Sequence, residues 1–291
     1  MSKRNLSRWL VFLLIGLPTL SAIALDLQPG EARAPEIGST HLQLTQQYSE
    51  RGDRYINGEK QTGDPKIVTS TFQVRLGHAF ELAGHTAYVY AQTPMGYVHP
   101  GGSLSSLTGD AGIGDTMLAF AFWPYANHQT ETYFGLAGYL SAPTGSYSPE
   151  RSLNMGENRY RSALQAGYQT PISENLHWMS AVDAVWYGKN TEFGANRDTL
   201  EQDALYTVQT NLRYNFTAQF ALAVAYFYSQ GGETSRNGQH RDDITRLHRY
   251  QISGIANLPF GRVTLQYGGD LETENGYIEK NRWILRYTRG F

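Results

Sequence analysis

The sequence predicts an all-β chain: a transmembrane antiparallel up-and-down β-barrel of about twelve strands. Three observations carry that expectation. Apolar and polar residues alternate with the period of two that belongs to strands, over segments of roughly ten residues. The connections between segments alternate short and long, as the two rims of such a barrel do, whereas sandwich loops follow no such rhythm. The chain also opens with an export leader. Lys3, Arg4 and Arg8 precede the apolar run Trp9 to Leu17, Pro18 breaks it, and Ala22-Ile23-Ala24 follows.

That leader is read as a secretory signal peptide over residues 1–24, cleaved after Ala24. Its apolar run is about half the ~20 residues a spanning helix needs. Residues 25–36 are expected to be a short N-terminal periplasmic segment, too short to form a plug, and residues 37–291 the barrel. A mean hydropathy of −0.44 fits, because only alternate strand residues face lipid.

In the first strand Leu42, Leu44 and Tyr48 oppose His41, Gln43, Thr45 and Gln47, and a polar gap at 50–64 follows. The second presents Val68, Phe72, Val74, Leu76 and Phe80 against Thr69, Thr71, Gln73 and Arg75, with a short turn at 81–84. The third, 85–97, carries Tyr88 and Tyr90 without a clear parity, and a polar loop at 101–110 follows. The fourth shows Leu118, Phe120 and Phe122 and ends at Pro124. After a short turn the fifth shows Phe134, Leu136 and Leu140, and a long loop spans 143–158.

The sixth sets Tyr160, Leu164, Ala166 and Tyr168 against Arg161, Gln165 and Gln169. The seventh sets Leu176, Trp178, Val182 and Trp186 against Met179, Asp183 and Tyr187, before a loop at 188–202. The eighth sets Tyr206, Val208, Leu212, Tyr214 and Phe216 against Gln209, Asn211, Arg213 and Asn215. In the ninth, Phe220, Leu222, Val224, Tyr226 and Tyr228 alternate with Ala221, Ala223 and Ala225, and 230–242 is loop. The tenth shows Tyr250 and Ile252 against Arg249, Gln251 and Ser253. The eleventh shows Val263, Leu265, Tyr267 and Leu271 against Gln266, Asp270 and Glu272. The twelfth presents Trp283, Leu285, Tyr287 and Phe291, with Arg289 interrupting that face. It resembles the closing strand of bacterial outer-membrane barrels, the strand offered to the barrel-assembly machinery. Arg289 is expected to snorkel to water at the rim.

Composition excludes several function classes. Three of the 24 Lys+Arg and none of the 26 Asp+Glu lie in the leader, leaving 21 against 26, a charge of about −5 that argues against a nucleic-acid partner. The absence of cysteine excludes thiol catalysis, thiolate metal sites and c-type haem attachment. None of the eight His is followed two residues on by Ser, and no G-x-S-x-G elbow occurs. No metal-ligand spacing or cofactor motif is present; Gly112-Ile113-Gly114 opens a strand rather than a helix.

Function is therefore expected on the polar face. The pore-lining candidates are Arg75, Asp115, Arg161, Gln165, Asp183, Arg213, Arg249, Asp270, Glu272 and Arg286. Charges of both signs in a narrow lumen must be paired or wetted. Either they form a structural lattice or they line a selective passage. Small residues such as Gly135, Ala137, Gly167, Ala223 and Gly268 leave lumen space.

The most distinctive stretch runs Ala111-Gly112-Ile113-Gly114-Asp115, then Ala142-Pro143-Thr144-Gly145-Ser146-Tyr147, then Leu153-Asn154-Met155-Gly156-Glu157-Asn158-Arg159-Tyr160. In this order the pieces resemble the protein family named for the meta-pathway of phenol degradation, over roughly residues 40–291. The resemblance implies a transporter-like protein of the outer membrane that takes up small aromatic or hydrophobic molecules. Asp115 is expected near the outer rim, within reach of Arg159 or Arg161. The reading is a passive channel, not an enzyme, with membrane lipid, the assembly machinery and a small solute as partners and no cofactor. The alternatives are an outer-membrane enzyme acting on lipid and a structural barrel with a plugged lumen.

Overall fold

The computed structural model describes residues 25–291, so the leader lies outside the described residues. Twelve long strands follow one another: β1 (Thr40–Ile56), β2 (Pro65–Leu82), β3 (His85–Gly102), β4 (Thr116–Asn127), β5 (Thr132–Ala142), β6 (Arg161–Pro171), β7 (Leu176–Tyr187), β8 (Leu205–Asn215), β9 (Phe220–Gly231), β10 (Thr245–Leu258), β11 (Gly261–Thr273) and β12 (Gly276–Gly290). Each pairs antiparallel with its sequence neighbours, and β1 closes on β12 from His41 opposite Gly290 to Tyr55 opposite Gly276. The last pair of bonds in the seam joins the Thr40 and Phe291 backbones, at 3.1 and 2.9 Å. Closure gives every strand two neighbours, which is what allows strands to live in lipid.

The alternation read from sequence becomes an outer apolar wall. Leu118, Leu136, Leu164, Val182, Val208, Leu222, Leu265 and Leu285 all point outward and are exposed. Phe134, Trp178, Tyr214 and Phe220 ring the short-turn end, and Trp186, Tyr206, Tyr226 and Trp283 lie toward the other. Such aromatic girdles belong at the two membrane interfaces. The shortest strands, β5, β6 and β8, have 11 residues each. At ~3.3 Å per residue and a tilt near 45° they rise about 25 Å, enough for the apolar band.

β2 and β3, with 18 residues each, rise well above that wall. Against their upper halves the loops fold into a cap with its own apolar centre of Ile67, Val98, Leu104, Leu153 and Tyr277. Asp110 ties the cap together by accepting from Arg151 Nη1 (2.5 Å) and the Met155 backbone N–H (3.0 Å). A separate four-stranded sheet is built by Asn190–Phe193, Asp198–Gln202, Thr234–Arg236 and Gln239–His240.

Two local features depart from the sequence reading. The parity left open in the third strand resolves with Tyr88 and Tyr90 inward; the Arg75 guanidinium lies 4.3 Å from the Tyr90 ring centre. An arginine inside the barrel gives an aromatic ring a partner there. The second departure is a β-bulge. Arg249 pairs with Asp270 but His248 pairs with Glu272, so Leu271 is the extra residue. The bulge flips the parity beyond it. Glu272 is consequently exposed on the outer face near the long-loop rim, and its assignment to the pore lining is corrected.

Candidate functional site

The lumen is not empty. The segment expected in the periplasm lies instead inside the barrel: residues 25–34 run between mid-lumen and the short-turn end and narrow the passage. Its shape is set by Gln28-Pro29-Gly30-Glu31. The Glu31 N–H donates to the Gln28 carbonyl (2.8 Å), and Gly30 has φ +87°. Proline at the second corner and glycine at the third make a type II turn, where a left-handed third residue is required. The small inward residues make room for it. A side chain at Gly167 would meet Leu27 at 3.2 Å and Ala32 at 3.7 Å. Ala34 packs against Trp123 and Tyr133.

Four backbone groups of this segment find partners on four different strands, as buried peptide groups require. Gln165 Nε2 donates to the Leu25 carbonyl (2.8 Å), and the Leu27 N–H donates to Gln209 Oε1 (3.1 Å). Arg262 Nη2 donates to the Pro29 carbonyl and Trp123 Nε1 to the Ala32 carbonyl, both at 2.8 Å. Two carboxylates pin it by charge: Asp26 pairs with Arg249 (2.6 Å) and, more loosely, Arg282 (3.6 Å), and Glu31 pairs with Arg75 (2.6 Å).

Three polar layers result. At mid-height, Glu279 accepts from Ser49 and pairs with Arg51 (3.5 Å) and Arg282 (3.4 Å), while Asp270 accepts from the Glu279 N–H at 2.6 Å. Beside it Asp183 lies 3.4 Å from Gln165 Nε2, and Gln165 also accepts from the Tyr139 hydroxyl (2.7 Å). Toward the cap, Arg159 and Arg161 converge on Glu157 at 2.8 and 3.2 Å. Asp115 is buried there and accepts from the Gly145 and Glu157 backbone N–H groups, each at 2.9 Å. The glycine-rich pieces that stood out in sequence are thus the cap's close crossing. A Cβ on Gly145 would sit 2.7 Å from Gly156 Cα and 2.8 Å from an Asp115 carboxylate oxygen.

The third layer is an open vestibule at the short-turn end, a cavity of about 630 Å³ between the N-terminal segment and the wall. Tyr88, Tyr90, Trp123 and Tyr139 line it together with Arg75, which stacks on Tyr90, and with Arg262 and Arg286 of β11 and β12. Arg213 approaches the same place, where it lies against Gly30.

Of the ten residues singled out from sequence, Arg75, Asp115, Arg161, Gln165, Asp183, Arg213, Arg249, Asp270 and Arg286 lie on the inner face, and Glu272 does not. Missed were Asp26 and Glu31, the two anions that engage this basic lining. Their segment has no strand period, and nothing local signals that it folds inward. Arg262 was missed because it sits at a turn. Tyr90 and Tyr139 were missed because a tyrosine suits a girdle as well as a lumen.

The family model described as "Putative MetA-pathway of phenol degradation" matches residues 51–286. Among solved structures, the chain is similar to an outer membrane channel from Pseudomonas putida F1. The identity is 31%, with a TM-score of 0.88, over 91% of this chain and all of that one. The β domain of the Bordetella autotransporter Brka (10% identity, TM-score 0.53, 88% of this chain and 100% of that one) shares the fold. So does the transport unit of the autotransporter AIDA-I from Escherichia coli (10% identity, TM-score 0.50, 92% and 93% covered). No curated protein matches. The neighbours are barrels of the Gram-negative outer membrane, which places the short turns and the vestibule on the periplasmic side and the cap outside.

Proposed function

The chain belongs to the phenol-degradation MetA-pathway family, and from that premise we propose that this outer-membrane barrel is a passive channel for small aromatic or hydrophobic solutes. The vestibule carries the proposal. It is a solute-sized cavity with an aromatic wall, inside a barrel whose mid-lumen is narrowed by a short segment rather than packed solid. Lumen-facing Arg75, Asp115, Arg161, Gln165, Asp183, Arg213, Arg249, Asp270 and Arg286 are read as the pore lining. The relative from Pseudomonas putida F1 is named a channel, which supports a transport role over an enzymatic one. Export by residues 1–24, with the mature chain starting at Leu25, belongs to the same reading.

A lipopolysaccharide leaflet slows hydrophobic solutes, so the useful test is in cells. The chain, produced in a porin-poor Gram-negative host, should raise the entry rate of labelled toluene and phenol several-fold and leave sucrose entry unchanged. The second reading, a structural barrel, draws on the lumen filling by residues 25–34. It predicts no change for any solute and no planar-bilayer conductance. Lipid hydrolysis by the refolded protein would overturn both.

A further inference from the structure

The periplasmic vestibule holds more positive charge than the protein neutralises. Arg75 has Glu31, at 2.6 Å. Arg262 has only the neutral Pro29 carbonyl, and Arg286 only the Thr45 hydroxyl, at 3.2 Å. Among the described residues neither of these two, nor Arg213, has a carboxylate within 4.0 Å. Arg262 Nε, Arg286 Nη1 and Arg213 Nε are each buried N–H groups without a hydrogen-bond partner in the protein. A buried donor left unmade is costly, more so when charged, so two in one cavity with a third beside it is an arrangement in need of an acceptor.

The spacing of these groups is set by the barrel. Arg262 lies opposite Thr288 and Arg286 opposite Thr264, so the two rise from diagonal positions on the inner face of adjacent strands. A planar carboxylate can accept from two guanidinium groups at once, the geometry for which arginine is suited. The same cavity is lined by the rings of Tyr88, Tyr90 and Trp123. Flat apolar bodies rest on such a wall.

We propose that the vestibule is a binding site for an aromatic carboxylate, its anionic end held between Arg262 and Arg286 and its ring against the tyrosine and tryptophan wall. Glu31 is the internal competitor, because it places a carboxylate of the chain itself in the same cluster. The proposal rests on the channel reading and narrows it: within the aromatic class, anions are the solutes held at the periplasmic exit.

The test is calorimetric titration of the purified full chain in neutral detergent with benzoate and with benzyl alcohol. Benzoate should bind at least tenfold more tightly, and its affinity should fall as sodium chloride rises. The R262Q/R286Q double variant, shown to be folded by its heat-modifiable migration, should lose at least tenfold in benzoate affinity. The E31Q variant should gain severalfold. Equal binding of the acid and the alcohol, or undiminished benzoate binding by the folded double variant, overturns the site. If the double variant does not fold, the salt dependence and the E31Q gain decide, and absence of both overturns it. Because binding is read without transport, a channel that admits toluene but binds no benzoate defeats this inference alone.

Discussion

Arg282 sets the electrostatic character of the mid-lumen. It is only 1% exposed, and its ion-pair contacts, 3.4 Å to Glu279 and 3.6 Å to Asp26, are long. Its guanidinium nitrogens make no hydrogen bond. Its role is therefore Coulombic, a cation enclosed by carboxylates from β12 and from the N-terminal segment. Breaking a buried cluster by removing one sign leaves the other uncompensated, at a cost of about 3–5 kcal/mol. Arg282→Met should lower the unfolding free energy of the refolded barrel, read by urea titration, by about 3 kcal/mol, since the lumen admits some water. Adding Glu279→Gln to it should recover part of the loss. Strictly additive losses in that double-mutant cycle would show that the two residues are not coupled.

At the level of elements, the strands were legible and the exceptions have separate physical causes. Where one face meets lipid, a slip of one residue would expose every polar group, so the period of two is strongly written and the twelve strands emerge from it. Glu272 was misplaced because a bulge leaves no mark on hydrophobic alternation. The N-terminal segment was misplaced because its partners, Gln209, Arg249 and Arg262, lie some two hundred residues away. The four-stranded loop sheet carries no strand signal in the sequence because its strands are two to five residues long and mostly polar. Side-chain bonds from Asn237 and Arg236 tie that sheet at Asp198 and hold the Asp198 carboxyl below its ordinary range. A carboxylate whose folded pKa is depressed stabilises above its unfolded pKa, and the contribution is lost as pH falls through the folded value. Hydrogen exchange of amides 198–202 and 234–237, corrected for intrinsic rate, should therefore accelerate on acidification below about pH 4. In Asp198→Asn it should already be fast at neutral pH and lose its acid dependence. An unchanged acid response in that variant would assign the effect to another group.

For the whole molecule, the closed wall and its internal segment are separable. Closure comes from the β1–β12 ladder, and residues 25–34 take part in none of its pairs. The segment is held by side-chain hydrogen bonds and two ion-pair anchors. A variant lacking residues 25–34 should still migrate as a heat-modifiable barrel, with reduced thermal stability because Arg75 and Arg249 lose the carboxylates they pair with and Arg282 keeps only Glu279. Its conductance in planar bilayers should rise several-fold over the full chain. The deletion also removes Asp26 and Glu31, the carboxylates paired with Arg249 and Arg75, so the wall left around the passage is more basic. A narrow passage lined by basic residues favours anions. The reversal potential in a potassium chloride gradient should accordingly shift toward chloride, and benzoate should compete with chloride for passage. Unchanged conductance after the deletion would mean that the cap, not this segment, is the constriction. A shift toward potassium would mean that the mid-lumen carboxylates Asp183, Asp270 and Glu279 outweigh the arginines around them.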